Sequence, residues 1–293
     1  MKKTEAKKNI AIFVDNFKVG GIQKSLINLL NNNDYDKWNI DVYVADFNDN
    51  FFNINKKANI IKFNKVLPIF KFVPFNIVYK IYHPNILNKE YDLAIDFDSY
   101  QMHTAIGALK CNSKRKAIWI HNDIPIKLRE EYKYRILHFF FKRKYDYFDT
   151  YCAVSQGALD SFKRINKEKN ANKEYLVIPN YIDTKEIADK LKENCDIKVE
   201  KEKVNIVTVG RLCHQKGIDI MLDNIKQLSL ERKDFHLYII GDGDEKEKLI
   251  ERTKKLDLEN YVTFLGNQKN PFKYLKEMDL FYLSSRYEGQ GMV

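Results

Sequence analysis

Short apolar runs that end abruptly at glycine or a polar residue, each followed by a helical pattern, leave this chain few folds to choose from. The clearest is Val204 to Val209, which stops at Gly210, passes a basic turn holding Arg211 and Lys216, and gives way after Gly217 to an amphipathic segment. Such a strand, mostly apolar and followed by a helix, belongs in a parallel sheet covered on both faces. At the carboxyl end of a parallel strand, exposed amides and the positive end of the next helix dipole favour an anion. Two cations placed there suit a diphosphate.

The same alternation starts at the N-terminus, where Asn9 to Val14 reads as a strand and Gly20-Gly21 opens a helix with Ile22, Leu26, Leu29 and Leu30 on one face. Further strands are expected at 40–45, 60–63, 92–97, 116–120, 149–154 and 175–178, with helices at 77–82, 104–110, 127–144 and 156–165. Thr184 to Asp196 is a polar helical stretch, and the solvated run KVEKEK precedes Val204. A domain boundary is therefore expected near residue 197, giving domains 1–197 and 198–293. The second half continues with a helix at 218–228, a strand at 235–240, a helix at 245–256, a strand at 262–265, a helix at 272–276 and a strand at 280–283. The fold class is α/β, with mostly parallel sheets.

Composition narrows the partners. Hydrophobic residues make up 44% of the 293 and include 19 Phe and 18 Tyr, enough for two folded cores. A formal charge of +10 favours an anionic partner, which nucleotide, lipid surface and nucleic acid all satisfy. No nucleic-acid module is visible, so none is expected to bind. Cys111, Cys152, Cys195 and Cys213 have neither a C-x-x-C pair nor metal-ligand spacing and read as reduced thiols of a cytoplasmic protein. The apolar run Ile10 to Val14 is too short for a signal sequence or a membrane span. From Asn50 to Lys89 no acidic residue occurs, and lysines alternate with aromatics; HFFFKRK repeats the theme within 127–144. These stretches suit an anionic membrane surface, or else they are core aromatics beside solvated lysines.

Strand ends in the second half carry small, polar or charged residues: Gly210, the pair Gly241 and Gly243 in IIGDGDEKEKL, Leu265-Gly266 in VTFLGNQ, and SSRYEGQG after the last strand. Ligands of open α/β sheets sit at that edge. Single motifs here are weak, but their order is informative. G-R-L-x-x-x-K-G, then GDG, then LG, then S-x-x-Y-E-G-x-G resemble the retaining GT-B glycosyltransferases of family 4, the group 1 glycosyltransferases. The first half agrees in GGIQKSLINLL, WIHND, AVSQGALDSF and VIPNYID.

The resemblance implies a GT-B fold, two Rossmann-like parallel-sheet domains facing across a cleft, the first on the acceptor side and the second binding a nucleotide-sugar. Arg211 and Lys216 would neutralise the departing diphosphate of a UDP- or GDP-sugar. Glu288 would hold sugar hydroxyls, and His121 would face the reacting centre. Gln290 and Gly291 would bind phosphates and sugar, and Gly20 and Gly21 would let the first loop approach donor and acceptor. Gly210, Gly241, Gly243, Leu265 and Gly266 would line the nucleotide. No cofactor and no metal are implied, because Arg, Lys and a helix end replace the cation. The expected reaction is sugar transfer, with retention, to a hydroxyl of a cell-surface glycan or a lipid-linked acceptor in polysaccharide biosynthesis, on the inner face of the plasma membrane.

One departure bears on activity. The second glutamate of the family's E-x7-E motif would fall beyond Val293, so the second domain is expected to be incomplete and the protein truncated at its carboxyl end. The alternative function is thus an inactive remnant that binds nucleotide or membrane without turnover. Asp15 and Asp123 are carboxylates to which spacing gives no role, and the same holds for His83, His103, His138, His214 and His236.

Overall fold

In the computed structural model, residues 6–18, 20–46, 54–166 and 172–293 are described. They form two compact units, Met1–Ile182 with Gly289–Met292, and Asp183–Glu288 with Val293.

The first unit runs β1 (Lys8–Asn16), α1 (Gly21–Asn31), β2 (Trp38–Asp46), β3 (Asn59–Lys62), α2 (Phe75–Ile81), β4 (Tyr91–Asp96), α3 (Met102–Lys110), β5 (Ser113–Ile120), α4 (Ile124–Glu130), α5 (Tyr132–Phe141), β6 (Thr150–Ala153), α6 (Gln156–Ile165) and β7 (Glu174–Val177). Its seven strands are ordered β3-β2-β1-β4-β5-β6-β7, and every pairing is parallel. β2 shows why the apolar runs do not alternate: Ile40 to Ala45 is buried on both faces. Phe13 and Tyr43 stack across β1 and β2 at 4.6 Å between ring centroids, and Phe63 meets Phe13 edge-on at 5.6 Å. These three rings anchor the core on the β3-β2-β1 side of the sheet.

The second unit runs α7 (Thr184–Lys190), β8 (Val204–Val209), α8 (Ile218–Glu231), β9 (Phe235–Ile240), α9 (Lys246–Lys255), β10 (Val262–Gly266), α10 (Phe272–Leu275) and β11 (Leu280–Phe281). Its sheet is ordered β10-β9-β8-β11, again parallel throughout. One core face holds Ile206, Met221, Leu222, Leu237 and Leu249, and the other holds Val207, Tyr238, Ile240 and Tyr274.

Both sheets reverse their direction of growth once. In the first, β2 and β3 lie on one side of β1 and β4 on the other. In the second, β9 and β10 lie on one side of β8 and β11 on the other. The crevices at the carboxyl ends of β1/β4 and β8/β11 are the places where such sheets accept ligands.

Two expectations need correction. The helix expected over 127–144 is broken at Glu131, whose backbone is extended and which ends α4 and opens α5. After the break, α5 buries Tyr134, His138 and Phe141. The boundary also lies at Ile182/Asp183 rather than near residue 197. The segment after Asp183 is held by the second unit: Asn270 Nδ2 donates to Lys190 O at 2.8 Å and Lys276 Nζ to Glu193 O at 2.7 Å.

Candidate functional site

In the second unit the turn after β8 is anchored by Leu212, which is buried, and carries exposed Arg211 at its tip. Lys216 closes the turn. Its aliphatic stem crosses Gly210, where an added Cβ would lie 3.4 Å from Lys216 Cε. Its ammonium then reaches Glu288, with Nζ and Oε1 2.5 Å apart. Both side chains are about one-fifth exposed, so the pair is partly withdrawn from water and still accessible.

The segment that presents Glu288 is fastened to that turn at several points. Arg286 N donates to Gln215 O at 2.8 Å, Gln215 Nε2 to Tyr287 O at 3.1 Å, and Ser284 Oγ to Lys216 O and Gly217 O at 3.1 and 2.9 Å. Arg286 makes a two-pronged bond to Asp219 at 2.8 and 2.6 Å and donates to His214 O at 2.8 Å. The guanidinium holds the Asp219 carboxyl below its ordinary range, against an opposing contribution from burial. Gly217 is left-handed, with φ 62°, and an added Cβ would lie 2.2 Å from Ser284 O. A lysine and a glutamate remote in sequence thus meet at the β8/β11 crevice. The ammonium has protons left over for phosphate oxygens, and the carboxylate has lone pairs left over for hydroxyls.

Gly241 and Gly243 lie beside the same turn. The space their side chains would take is filled by the backbone of Gly210 and Leu212, with nearest oxygens at 1.8 and 2.3 Å. Leu212 N donates to Asp242 O at 2.9 Å. Leu265 and Gly266 end β10, and Gly241 N donates to Gly266 O at 2.8 Å.

In the first unit His121 ends β5 and is buried. Its Nε2 lies 2.6 Å from Phe97 O; a carbonyl only accepts, so Nε2 carries the proton and Nδ1 is the acceptor. Burial lowers the imidazole pKa to about 4, against the pull of the Phe97 carbonyl, so the ring is neutral. Residues 289–292 lie against it. An added Cβ at Gly289 would meet His121 O at 1.9 Å, Ser155 Oγ donates to Gly289 O at 2.6 Å, and Asn180 N donates to Gln290 Oε1 at 2.7 Å. Gly20 and Gly21 open α1, where an added Cβ on Gly21 would lie 3.9 Å from Met292 Cγ. His121, Gly21, Gln290 and Gly291 therefore share the carboxyl edge of the first sheet, and Gln290 spends its side-chain oxygen on Asn180.

A polar cluster that the sequence did not single out fills the β1/β4 crevice. Asp15 Oδ1 accepts from His103 Nε2 at 2.9 Å, with Lys65 Nζ 3.5 Å away, and Asp98 Oδ2 accepts from Asp15 N at 3.1 Å. Burial would raise Asp15, but the His103 bond and charge prevail and bring it down to about 2. Asp98 is pushed up to about 7 by burial and by the charges of Asp96 and Asp15. Lys144 is buried, donates to Ser99 O, and is lowered by burial to about 8 despite Asp96 and Asp98. Ser99 is left-handed, with φ 58°. Two aspartates ending the apolar run LAIDFD were the available signal, since a carboxylate in a buried strand requires compensation. Asp123 is accounted for locally: it caps α4 by accepting from Ile126 N at 2.9 Å. Among the described residues no group of three or more His, Cys, Asp or Glu is arranged to hold a metal ion.

Known proteins resemble this chain in sequence and in fold. Residues 189–293 match the family model described as glycosyl transferases group 1. An uncharacterized glycosyltransferase of Methanocaldococcus jannaschii is 33% identical over 187 residues, 61% of this chain and 44% of that protein. The N-acetylgalactosamine-N,N'-diacetylbacillosaminyl-diphospho-undecaprenol 4-alpha-N-acetylgalactosaminyltransferase of Campylobacter jejuni is 32% identical over 113 residues, 39% of this chain and 29% of that protein. The chain thus spans less than half the length of these relatives. Among solved structures, a mutant of S. aureus TarM in complex with fondaparinux, alpha-GlcNAc-glycerol and UDP superposes with a TM-score of 0.66 at 13% identity, covering 97% of this chain and 82% of that one. In sequence, residues 189–293 are thus similar to the glycosyl transferases group 1, and the chain has the α/β fold of the GT-B glycosyltransferases.

Proposed function

We propose that the protein transfers a sugar from a UDP- or GDP-sugar to a hydroxyl of a cell-surface glycan or lipid-linked acceptor, with retention at the anomeric carbon, at the inner surface of a membrane. The observation that carries the reading is the Lys216–Glu288 pair, at 2.5 Å, fastened into the β8/β11 crevice beside Arg211. In this reading Lys216 and Arg211 stabilise the charge that grows on the leaving diphosphate, without a metal, and Glu288 orients the sugar through its hydroxyls. His121, neutral with Nδ1 unprotonated, is able to accept a hydrogen bond and carries no charge at neutral pH. Two names support the substrate class: the Campylobacter relative acts on a diphospho-undecaprenol-linked sugar, and the S. aureus structure holds UDP.

The test is calorimetry against UDP and GDP, followed by transfer from radiolabelled nucleotide-sugars to membrane extracts. Binding of one nucleotide that Lys216→Met weakens at least tenfold, with labelled product from its sugar, is expected. Absence of binding to either nucleotide refutes the proposal. Binding without transfer assigns the protein instead to nucleotide binding without turnover.

A further inference from the structure

The two basic-aromatic stretches of the sequence, far apart along the polypeptide, meet on one face of the first unit. Pro68–Phe72 forms a 3-10 turn that packs on α5, and Phe72 and Phe140 touch edge-on at 5.9 Å between centroids. α2 packs on the 3-10 turn Lys142–Tyr147 that follows α5, and Tyr147 joins Phe75 and Tyr79 at 5.8 and 5.4 Å. The apolar side chains of these stretches thus divide into two sets. Phe75, Tyr134, Phe141 and Tyr145 are core, whereas Ile69 and Phe139 are 77% and 67% exposed, and Leu67 and Phe72 are exposed with them. α2 does the same within seven residues, burying Phe75 and Val78 while leaving Ile77 and Ile81 in water on the opposite side. Residues 50–53 of the first stretch lie outside the described residues.

Exposed cations accompany the exposed apolar tips: Lys71 and Lys80 on one stretch, Lys142 and Arg143 on the other, with Lys142 Nζ 5.3 Å from the Phe139 ring centroid. No acidic residue occurs between residues 54 and 89 or between Tyr132 and Tyr145. A partner protein of ordinary surface would bring charges of both signs to such a face. A bilayer rich in anionic phospholipid brings one sign at the headgroups and hydrocarbon just beneath, the order in which this face offers cation and apolar tip.

We propose that the face built from Leu67–Phe72, the outer side of α2 and the α5–Arg143 segment seats the protein on anionic phospholipid, with Ile69, Phe72 and Phe139 entering the headgroup boundary. No helix among the described residues is long and apolar enough to cross a membrane, so the contact is one of lying on the surface. The inference sharpens the membrane location in the proposed function, but it stands on exposure and charge and can be tested without any sugar.

The test is sedimentation of the protein with phosphatidylglycerol/phosphatidylcholine vesicles and with pure phosphatidylcholine vesicles, at 0.1 and 0.5 M NaCl. Binding to the anionic vesicles is expected, falling at least tenfold at high salt and about fivefold for each cation removed in Lys71→Gln and Lys142→Gln. The double variant I69D/F139D should lose it, while Leu230→Asp, on an exposed apolar residue of α8 in the other unit, should keep it. Unchanged far-ultraviolet circular dichroism and UDP affinity in the double variant would show that the fold and the nucleotide site survive. Equal binding to neutral vesicles, indifference to salt, or full binding by I69D/F139D overturns the proposal. A dimer in sedimentation velocity that I69D/F139D abolishes also overturns it, by giving the face to a second copy. Failed nucleotide binding with intact vesicle binding would count against the transfer reading alone.

Discussion

Substituting Gly217 by alanine should loosen the Glu288 segment without touching any charged group. Two costs add. Gly217 is left-handed at φ 62° and ψ 31°, a conformation in which a Cβ costs about 1–2 kcal/mol. That Cβ would also stand 2.2 Å from Ser284 O, against the 3.4 Å at which ordinary contact begins, so the Ser284 backbone must retreat by about 1 Å. The retreat opens the bond that the single Ser284 hydroxyl proton shares between Lys216 O and Gly217 O, worth about 1 kcal/mol. The sum is about 2–3 kcal/mol of local destabilisation. Gly266 supplies the comparison, because its φ of 68° carries the first cost but an added Cβ would meet nothing within 4 Å; Gly266→Ala should cost only about 1–2 kcal/mol. Gly157 supplies the control: it is helical with open space around it, and alanine there should be neutral or gain about 0.5 kcal/mol. Hydrogen exchange read by mass spectrometry reports the difference where it arises. Peptides covering 212–217 and 282–288 should exchange about 30- to 150-fold faster in Gly217→Ala, whereas Gly266→Ala should leave them unchanged. Should Gly217→Ala leave those peptides within a few-fold of the unsubstituted protein, the turn does not hold the Glu288 segment, and Lys216 and Glu288 are neighbours by side-chain reach alone.

Other consequences are quicker to state. Arg286→Lys keeps the charge but loses the two-pronged bond to Asp219; it should weaken UDP binding about three- to tenfold, and a double-mutant cycle with Asp219→Asn should return a coupling of about 1–2 kcal/mol. Glu288→Gln should leave UDP affinity within about threefold while abolishing binding of the sugar-bearing donor over UDP alone, since the carboxylate is assigned to the sugar; equal loss for both ligands would contradict that assignment. Asp98 has a folded pKa of about 7 against an ordinary value near 3.9, so the folded state holds the extra proton between these values and the contribution of Asp98 to stability falls as pH rises through that window. His121 and His138, both lowered to about 4 by burial, act in the opposite sense between pH 4 and 6.5. The informative quantity is therefore a difference: Asp98→Asn should gain stability relative to the unsubstituted protein as pH rises from 4 to 7, and a pH-independent difference in melting temperature would show that Asp98 does not hold that proton.

The strands were legible because a parallel sheet buried on both faces writes itself as uninterrupted apolar runs, and Val204 to Val209 and Phe235 to Ile240 were placed to the residue. Helix boundaries were less legible where two elements share one polarity pattern. Nothing in REEYKYR announces a break, since it has neither glycine nor proline, and the extended backbone of Glu131 shows only in the structure. The domain boundary was missed for a related reason. The run KVEKEK looks like a linker because it is charged, but the polypeptide passes into the second unit earlier, at Ile182/Asp183, and what assigns 184–193 to that unit is hydrogen bonding from Asn270 and Lys276, remote in sequence.

The candidate site shows the same division. Arg211, Lys216 and Glu288 could be named because they sit in short motifs at strand ends, where one peptide segment decides the geometry. Asp15, His103 and Lys144 could not, because each is ordinary in its own segment; Asp98 was signalled only by its place in LAIDFD, and the cluster exists only where β1, β4, α3 and the turn after α5 converge. His121 falls between the two cases. WIHND marked the residue, but the burial that keeps its ring neutral and the Phe97 carbonyl that fixes its proton on Nε2 belong to the β4 end beside it, one residue from Asp98. The charge state of His121 is thus set by its neighbours on the β5 and β4 edges. A substitution that lets water into that edge, such as Phe97→Ala, should therefore raise the His121 pKa toward 6.5, which the imidazole resonances followed through a pH titration by NMR would report directly. If the pKa stays near 4 in that variant, burial by Phe97 is not what keeps the ring neutral.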